Sequence, residues 1–137
     1  MALWIQITAG SNKPVYKQIV EQISEAIAKG QVRPSDKLPP VRKLAAELVI
    51  NPNTVARSYT ILEQTGLVNT RTGSGTYVSN PAMRSGSAAD TNALAERMDN
   101  IIVRGLNLGL NKQQLLEMFE KRFADFNKEQ KDRGEPR

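Results

Sequence analysis

The hydrophobic positions between residues 38 and 62 repeat with the period of an α-helix and are interrupted once, at residues 49–52. The first run has the i, i+3, i+4, i+7 spacing of a helix that buries one face: Val41, Leu44, Ala45 and Leu48. Asn51 followed by Pro52 then predicts a new helix, because asparagine is a preferred N-cap and proline fits the first helical position. The pattern predicts two short helices joined by a tight turn.

The second helix of this pair has a narrow core face and an outer face of small polar side chains. At about 100° per residue, the core face is predicted to contain Val55, Ser58, Tyr59 and Leu62. The outer face is predicted to contain Asn53, Ala56, Arg57 and Thr60. Hydrogen-bonding groups without bulk, together with a positive charge, suit a helix that lies in the DNA major groove. This helix is therefore predicted to be a recognition helix.

A longer helix and a short extended segment precede the pair. Pro14 is predicted to open the helix and Gly30 to end it as a C-cap. Its predicted buried face is Tyr16, Ile19, Val20, Ile23, Ala26 and Ile27. Residues 3–8 alternate too briefly to be more than a short strand or arm, and residues 32–37 are predicted to be a loop.

A β-hairpin is predicted directly after the helix pair. Two β-prone segments, residues 67–71 and 76–78, flank the sequence Thr72-Gly73-Ser74-Gly75. Glycines there allow positive φ and leave backbone N–H groups free to approach a phosphate or enter a minor groove. Most sequences of this kind are ordinary tight turns, but this one follows the helix pair where the wing of a winged helix-turn-helix domain would lie.

The composition changes after residue 80. Residues 81–92 are predicted to be a linker, residues 93–126 a pair of helices and residues 127–137 a charged flexible tail. The first helix is expected to break at Leu108 and Gly109, and Asn111 with Gln114 resembles a capping box for the second. The apolar stripes contain Leu94, Met98, Ile101, Ile102 and Leu108 on the first helix and Leu115, Met118, Phe119, Phe123 and Phe126 on the second.

These two helices need a covering surface, because isolated helices of this length are marginal in water and one antiparallel pair cannot cover both stripes. The cover is either the N-terminal domain of the same chain or a second copy in a twofold dimer. The flexible linker favours the dimer. The predicted fold class is therefore mainly α with a small β-hairpin wing: a winged helix-turn-helix domain at 1–80 plus a C-terminal two-helix dimerisation region.

The chain contains no cysteine and no histidine. A disulfide, the usual kind of zinc site and a Ser-His triad are therefore excluded, and no paired carboxylates or glycine-rich phosphate loop accompany a strand–helix junction. We predict neither an enzyme nor a bound metal or cofactor. The chain also lacks an apolar run of about 20 residues and the features of a signal peptide, so we expect no membrane association and a cytoplasmic location.

The net charge of +5 is distributed unevenly. Residues 1–80 contain nine basic and five acidic residues, whereas residues 81–137 contain ten basic and nine acidic residues. The excess of +4 therefore belongs to the half that holds the predicted helix pair, as expected if that half meets phosphates. A solvated surface would carry such a charge equally well, so charge alone is weak support.

Five motifs follow one another between about Lys13 and Val78: Pro14-Val15-Tyr16-Lys17-Gln18-Ile19, Lys37-Leu38-Pro39-Pro40-Val41-Arg42-Lys43-Leu44-Ala45, Asn53-Thr54-Val55-Ala56-Arg57-Ser58-Tyr59, Gly66-Leu67-Val68 and Arg71-Thr72-Gly73-Ser74-Gly75-Thr76-Tyr77-Val78. In this order they resemble the GntR family of bacterial winged helix-turn-helix transcription regulators. The short C-terminal extension and Asn51-Pro52-Asn53-Thr54 look like the YtrA subfamily. That resemblance implies dimerisation through the C-terminal helices, no large effector domain, and often repression of a transport-related operon.

The resemblance also implies a double-stranded DNA operator as partner, with a nucleoid location when bound. The positions that it assigns to DNA contact are Arg42, Asn51, Asn53, Thr54, Arg57, Arg71, Gly73, Ser74, Gly75 and Thr76. Pro52 stands where many relatives have a base-reading arginine, so specificity would depend on the remaining polar residues. For Arg57 the alternative is an i, i+4 partnership with Asn53 or Ile61 on a solvated face. Tyr59 is predicted to belong to the core.

Three functions stay open at this point. The first is a homodimeric, sequence-specific repressor that binds a short inverted repeat. The second is a winged-helix protein-interaction module without DNA binding, against which Arg42, Asn53 and Arg57 argue. The third is the regulatory head of a pyridoxal-phosphate enzyme, for which the chain is expected to end too soon. A small-molecule effector, if there is one, would need a pocket at the dimer interface or between domains.

Overall fold

The computed structural model describes residues 5–80 and 88–132. Its elements, in chain order, are α1 (Val15–Ala28), α2 (Val41–Leu48), α3 (Pro52–Gln64), β1 (Val68–Arg71), β2 (Gly75–Val78), α4 (Ala88–Asn107) and α5 (Lys112–Asp132). They divide into an N-terminal unit, Met1–Arg84, and a C-terminal unit, Ser85–Arg137. The predicted fold class, mainly helical with one small antiparallel hairpin, is confirmed.

The core of the N-terminal unit lies where α1, α2 and α3 meet. The predicted core face of α3 is buried along its whole length, from Val55 to Leu62. Ser58 is accommodated there because its hydroxyl donates to the carbonyl oxygens of Thr54 and Tyr16, each at 3.0 Å. The largest buried side chains, each contributing about 1.5–3 kcal/mol, are Ile19, Ile23, Leu38, Leu44, Leu62, Val32, Val55, Val68 and Val78.

Residues 5–8 form an arm on α1 and not a strand. Two glutamines one helical turn apart, Gln18 and Gln22, bind this arm through their side-chain amides. The Gln22 amide accepts from the Gln6 N–H at 3.0 Å and donates to the Gln6 carbonyl at 2.8 Å. Gln18 accepts from the Thr8 N–H at 2.8 Å. The four-residue spacing of the two glutamines on α1 thus matches the two-residue repeat of the extended arm. Residues 1–4 lie outside the described residues.

The loop predicted at 32–37 is present, and its end lies beside β2. Leu38 donates its N–H to the Thr76 carbonyl at 2.8 Å, and the Val78 N–H donates to the Asp36 carbonyl at 2.8 Å. Lys37 and Tyr77 form an antiparallel bridge between these bonds. The outer edge of β2 offers unpaired backbone groups, and buried Val32 and Leu38 hold the segment beside it. The loop prediction is confirmed at residues 32–36. It missed the bridge at Lys37, because the partner strand is distant in sequence.

Both helices of the C-terminal unit are longer than the sequence pattern indicated. α4 begins at Ala88, inside the predicted linker, and α5 continues to Asp132, inside the predicted tail at 127–137. Asp90 favours the early start, because an acidic side chain in the first turn interacts with the helix dipole. The lysines, glutamate and glutamine at 128–131 are good helix formers. Residues 81–87 and 133–137 lie outside the described residues.

The turn between α4 and α5 matches the prediction. Gly109 has φ +86° after the last turn of α4. Asn111 and Gln114 form the predicted capping box: each side-chain oxygen accepts from the backbone N–H of the other at 2.9 Å. The Leu115 side chain lies against buried Gly105, and a side chain at position 105 would collide with Leu115. Within the described residues, no helix is both long and apolar enough to span a bilayer.

Candidate nucleic-acid interface

The start of α3 is fixed by Asn51. Its side-chain oxygen accepts from the Asn53 N–H at 2.8 Å, and Pro52 occupies the first helical position. The predicted cap is confirmed. Asn51 and Asn53 are exposed, so this helix start presents amide side chains to solvent at the positive end of the helix dipole.

The outer face of α3 is polar and open, as predicted. Asn53, Arg57 and Thr60 are exposed, and Thr54 and Ala56 are half-buried. Thr60 donates its hydroxyl to the Ala56 carbonyl at 3.0 Å, so it is occupied within the helix. Because Asn53 and Arg57 are four residues apart, they lie on one side of α3. These two are the side chains on this face that remain free for readout within the described residues.

Arg57 is paired with neither Asn53 nor Ile61, the two i, i+4 partners that the sequence suggested. Its guanidinium carbon lies 3.7 Å from the centre of the Tyr16 ring, in a cation–π contact. Sequence reasoning missed this contact because Tyr16 belongs to α1 and was assigned to that helix's apolar face. In the structure the Tyr16 ring is half-buried, so its outer surface supports Arg57.

Tyr59 belongs to the core, as predicted. It is 6% exposed, and its hydroxyl donates to the Pro39 carbonyl at 2.7 Å. Burial, followed by the negative charge of Glu47, raises the pKa of the Tyr59 phenol above its ordinary value. The bond joins the middle of α3 to the residues that open α2. Arg42, in the first turn of α2, is exposed.

The hairpin β1–β2, which we call the wing, follows α3 directly. Glu63 near the end of α3 accepts from the Thr70 N–H at 3.1 Å and so anchors the wing. Arg71 lies with its guanidinium carbon 4.2 Å from the Tyr77 ring centre, and the Ser74 hydroxyl is hydrogen-bonded to the Tyr77 hydroxyl. Tyr77 therefore supports both the basic side chain and the tip of the wing.

The tip of the wing is shorter than predicted. Gly75 pairs with Arg71 as the first residue of β2, so the turn contains only residues 72–74. Gly73 has φ +77° and is exposed, together with Ser74. Thr76 is half-buried in β2. The predicted wing residues thus divide into an exposed tip and a strand that supports it.

Lys37 is a basic residue of this region that the predicted site omitted. Its side chain lies across Gly75, so closely that a Cβ at Gly75 would be 2.6 Å from the Lys37 Cε atom. Gly75 also has φ +143°, so any side chain there would be strained. The only feature of the sequence that pointed to Lys37 as a site residue was its position at the start of the Lys37–Ala45 motif. It was left out because it was assigned to a loop.

The positive charge of this surface is not cancelled by ion pairs. Lys13 is 2.7 Å from Glu21, and Lys29 is 3.1 Å from Glu25; each pair joins a lysine just outside α1 to a glutamate of α1. The hydrogen bond from Lys13 lowers the pKa of Glu21. The part of the chain that the structure describes gives no ion pair to the three predicted DNA-contacting arginines: Arg42, Arg57 and Arg71.

The C-terminal unit presents a second surface, which is apolar. Eight residues of the predicted dimer interface are between 45% and 72% exposed: Leu94, Met98, Ile101, Ile102, Leu108, Met118, Phe119 and Phe123. The other two, Leu115 and Phe126, are half-buried. Three further exposed residues were absent from the prediction: Val103, Leu106 and Leu116. Leu106 follows Ile102 by four residues, a spacing that could have identified it.

Comparison with known proteins gives consistent matches. Residues 15–78 match the family model described as "Bacterial regulatory proteins, gntR family". The HTH-type transcriptional repressor YtrA of Bacillus subtilis (strain 168) is 36% identical over 121 residues, which are 88% of this chain and 93% of YtrA. A crystal structure of a transcriptional antiterminator from Listeria monocytogenes EGD-e has a TM-score of 0.79 at 27% identity, covering 90% of this chain and 92% of that one.

One solved relative was crystallised on DNA. The AraR DNA-binding domain in complex with operator ORX1 has a TM-score of 0.51 at 26% identity and covers 58% of this chain and 99% of that one. The matched relatives are transcription regulators and not enzymes.

Proposed function

The chain belongs to the GntR family of bacterial regulatory proteins and is a DNA-binding transcription regulator, and we propose that it acts as a homodimeric repressor of a short inverted repeat. The observation that carries the proposal is the open surface of the N-terminal unit. Arg42, Arg57 and Arg71 lie on α2, α3 and the wing with no ion pair in the described residues. Unpaired guanidiniums are the groups that recognise phosphates and guanine edges.

Each part of this surface has a distinct role in the proposal. The exposed Asn53 and Arg57 of α3 read base edges in the major groove. Asn51 keeps its cap and approaches a phosphate at the start of α3. Arg42 contacts the backbone or a guanine. Thr54, being half-buried, makes a smaller contact than its exposed neighbours.

The wing contributes its tip and its basic side chain. Gly73 brings its backbone N–H group toward the phosphates, and Arg71 adds a positive charge. The Ser74 N–H already donates to the Arg71 carbonyl oxygen at 2.9 Å, so Ser74 offers its exposed side chain instead. Gly75 and Thr76 support the tip from β2. A protein-interaction module without DNA binding is not favoured, because such a module would have an acidic or apolar outer face on α3.

The apolar surface of the C-terminal unit supports the homodimer. An exposed set of Leu, Ile, Met and Phe side chains on two consecutive helices is larger than the isolated apolar residues of a soluble monomer. A second copy of α4 and α5 carries the same self-complementary stripes and would cover them in a twofold interface. Twofold symmetry would then require an operator with two inverted half-sites.

Because the chain resembles YtrA-type regulators, we also propose that its targets include a transport operon. Sequencing the genomic fragments that co-purify with the protein would identify the targets. A set of fragments without a shared inverted repeat would contradict the proposed operator.

Binding to a duplex selected by this protein from a random-sequence library tests the proposal. Fluorescence anisotropy should show a logarithm of affinity that falls linearly with the logarithm of salt concentration, with a slope of about −0.9 for each phosphate contacted. A scrambled duplex of equal length is the control for sequence specificity. A flat salt response, equal affinity for both duplexes, or a monomer by sedimentation would contradict the proposed function.

A further inference from the structure

Tyr16 contacts two consecutive residues of the recognition helix α3. The Arg57 guanidinium carbon lies 3.7 Å from the Tyr16 ring centre. The Ser58 hydroxyl donates to the Tyr16 carbonyl oxygen at 3.0 Å, and Ser58 is completely buried. The backbone of Tyr16 is therefore fixed to α3 from inside the core, while its ring supports a side chain on the outside.

Within residues 5–80 and 88–132, the ring is the only hydrogen-bond, ion-pair or ring partner that the structure gives to the Arg57 guanidinium. No carboxylate pairs with it and none of its N–H groups donates to the protein there. A cation–π contact uses the face of the guanidinium, whereas recognition of guanine or phosphate uses the N–H groups at its edge. Arg57 can therefore keep its contact with Tyr16 and bind DNA at the same time.

We propose that Tyr16 is a positioning residue for DNA readout: its ring holds the Arg57 guanidinium in place on the outer face of α3 before DNA arrives. The inference rests on the proposed function of Arg57. An arginine side chain loses much rotational freedom when it is fixed in one geometry. Prior fixation by Tyr16 reduces that loss on binding, and preorganisation of this kind increases affinity.

The ring and not the hydroxyl is assigned this role. In the described part of the chain, no group is hydrogen-bonded to the Tyr16 hydroxyl. Phenylalanine would keep the aromatic face, whereas leucine would keep an apolar side chain without one. The substitutions Tyr16→Phe and Tyr16→Leu therefore separate the aromatic face from the packing of α1 on α3.

The experiment measures binding of full-length variants to a duplex selected by the wild-type protein and to a scrambled duplex of equal length. We expect Tyr16→Leu to weaken binding to the selected duplex by about 2- to 5-fold, the range of an exposed cation–π contact. Tyr16→Phe should bind within about 2-fold of wild type. Binding to the scrambled duplex should stay the same for both, because total charge is unchanged.

The double variant Tyr16→Leu/Arg57→Ala distinguishes positioning from a general structural effect. If Tyr16 acts through Arg57, leucine at position 16 should cost nothing further once Arg57 is absent. Equal losses in the presence and absence of Arg57, or a loss in Tyr16→Phe as large as in Tyr16→Leu, would overturn the inference. Circular dichroism of each variant checks that the helices remain folded.

Failure of the inference would look different from failure of the proposed function. If the wild-type protein does not prefer the selected duplex over the scrambled one, the proposed function fails before any variant is tested. If the wild type prefers it and Tyr16→Leu binds as tightly as wild type, only the role of Tyr16 is wrong.

Discussion

The Tyr59 hydroxyl donates a 2.7 Å hydrogen bond to the Pro39 carbonyl oxygen. Tyr59 lies on the buried face of α3, and Pro39 precedes the first turn of α2. Because Pro40 follows Pro39, this carbonyl belongs to a segment of two consecutive prolines with few backbone donors nearby. The bond therefore fixes the entrance of α2 against the recognition helix.

Replacing Tyr59 with phenylalanine removes this bond and leaves the Pro39 carbonyl without its partner. We expect the free energy of unfolding to fall by about 1–2 kcal/mol. Urea denaturation followed by circular dichroism measures the change. Tyr77→Phe is the matched control, because the Tyr77 ring lies on the half-exposed wing and its hydroxyl bonds only to the exposed Ser74 among the described residues. A control that loses as much stability as Tyr59→Phe would contradict this account.

The raised pKa of Tyr59 also predicts a pH dependence. In the unfolded chain the phenol releases its proton near its ordinary pKa of 10.0, whereas burial keeps it protonated to higher pH in the folded protein. Its contribution to stability is therefore complete below about pH 10 and is lost as the pH rises above that value. The wild type should lose stability faster than Tyr59→Phe between about pH 10 and 11. Parallel losses in the two proteins would show that Tyr59 does not titrate in this way.

The faces of the helices could be predicted because they depend on local periodicity. Leu44, Val55 and Leu62 recur at helical spacing, and each is buried. The caps at Asn51 and Asn111 could be predicted because capping needs only residues a few positions apart.

The remaining features depend on partners distant in the sequence. Lys37 joins β2 through a bridge to Tyr77, and Gln18 binds the arm through the Thr8 N–H. Neither residue has a local pattern that predicts these partners. For the candidate site, the helix periodicity located Arg57 on the outer face, but the tyrosine that supports it lies in α1. The exposed surface was therefore predictable, and the contacts that fix its side chains were not.

Helix α2 ends at Val49, whose backbone has the left-handed conformation that glycine adopts after α1, α3 and α4. The turns after α1, α3 and α4 contain Gly30, Gly66 and Gly109 with φ between +76° and +86°, whereas Val49 has φ +57° after α2. A β-branched residue is strained there, at a cost of about 1–2 kcal/mol. Val49 is also 88% exposed, so its side chain gains little from packing.

Val49→Gly should therefore stabilise the protein despite the greater flexibility of glycine in the unfolded chain. We expect an increase of about 0.5–1 kcal/mol in the free energy of unfolding. Val49→Ala keeps a Cβ atom at positive φ and should gain less. Thermal unfolding of the three proteins gives the order, and a lower melting temperature for the glycine variant than for wild type would contradict the prediction.

Removal of a DNA-contacting arginine should change the salt dependence of binding. We expect Arg42→Ala or Arg57→Ala to weaken binding to the selected duplex by about 1–3 kcal/mol without unfolding the protein, since both side chains are exposed. A residue that contacts phosphate should also reduce the salt slope by about 1, whereas one that contacts only a base should not. Lys29→Ala is the control, because it removes the same charge at the C-terminal end of α1. Apart from a small electrostatic effect, it should change neither the affinity for the selected duplex nor the salt slope.

Phe119 and Phe123 should decide whether the chain dimerises. Their ring centres are 6.0 Å apart on α5, and both side chains are more than half exposed. Phe119→Ala/Phe123→Ala removes two aromatic rings from the proposed interface and should raise the dimer dissociation constant by at least about 100-fold. The stability of a single chain should change little, because both rings are exposed in it. Operator binding should weaken along with dimerisation, because a monomer engages one half-site. Val103→Ala, on the side of α4 opposite Leu94, should remain dimeric. If the double alanine variant sediments as the wild type does, these phenylalanines are not in the interface.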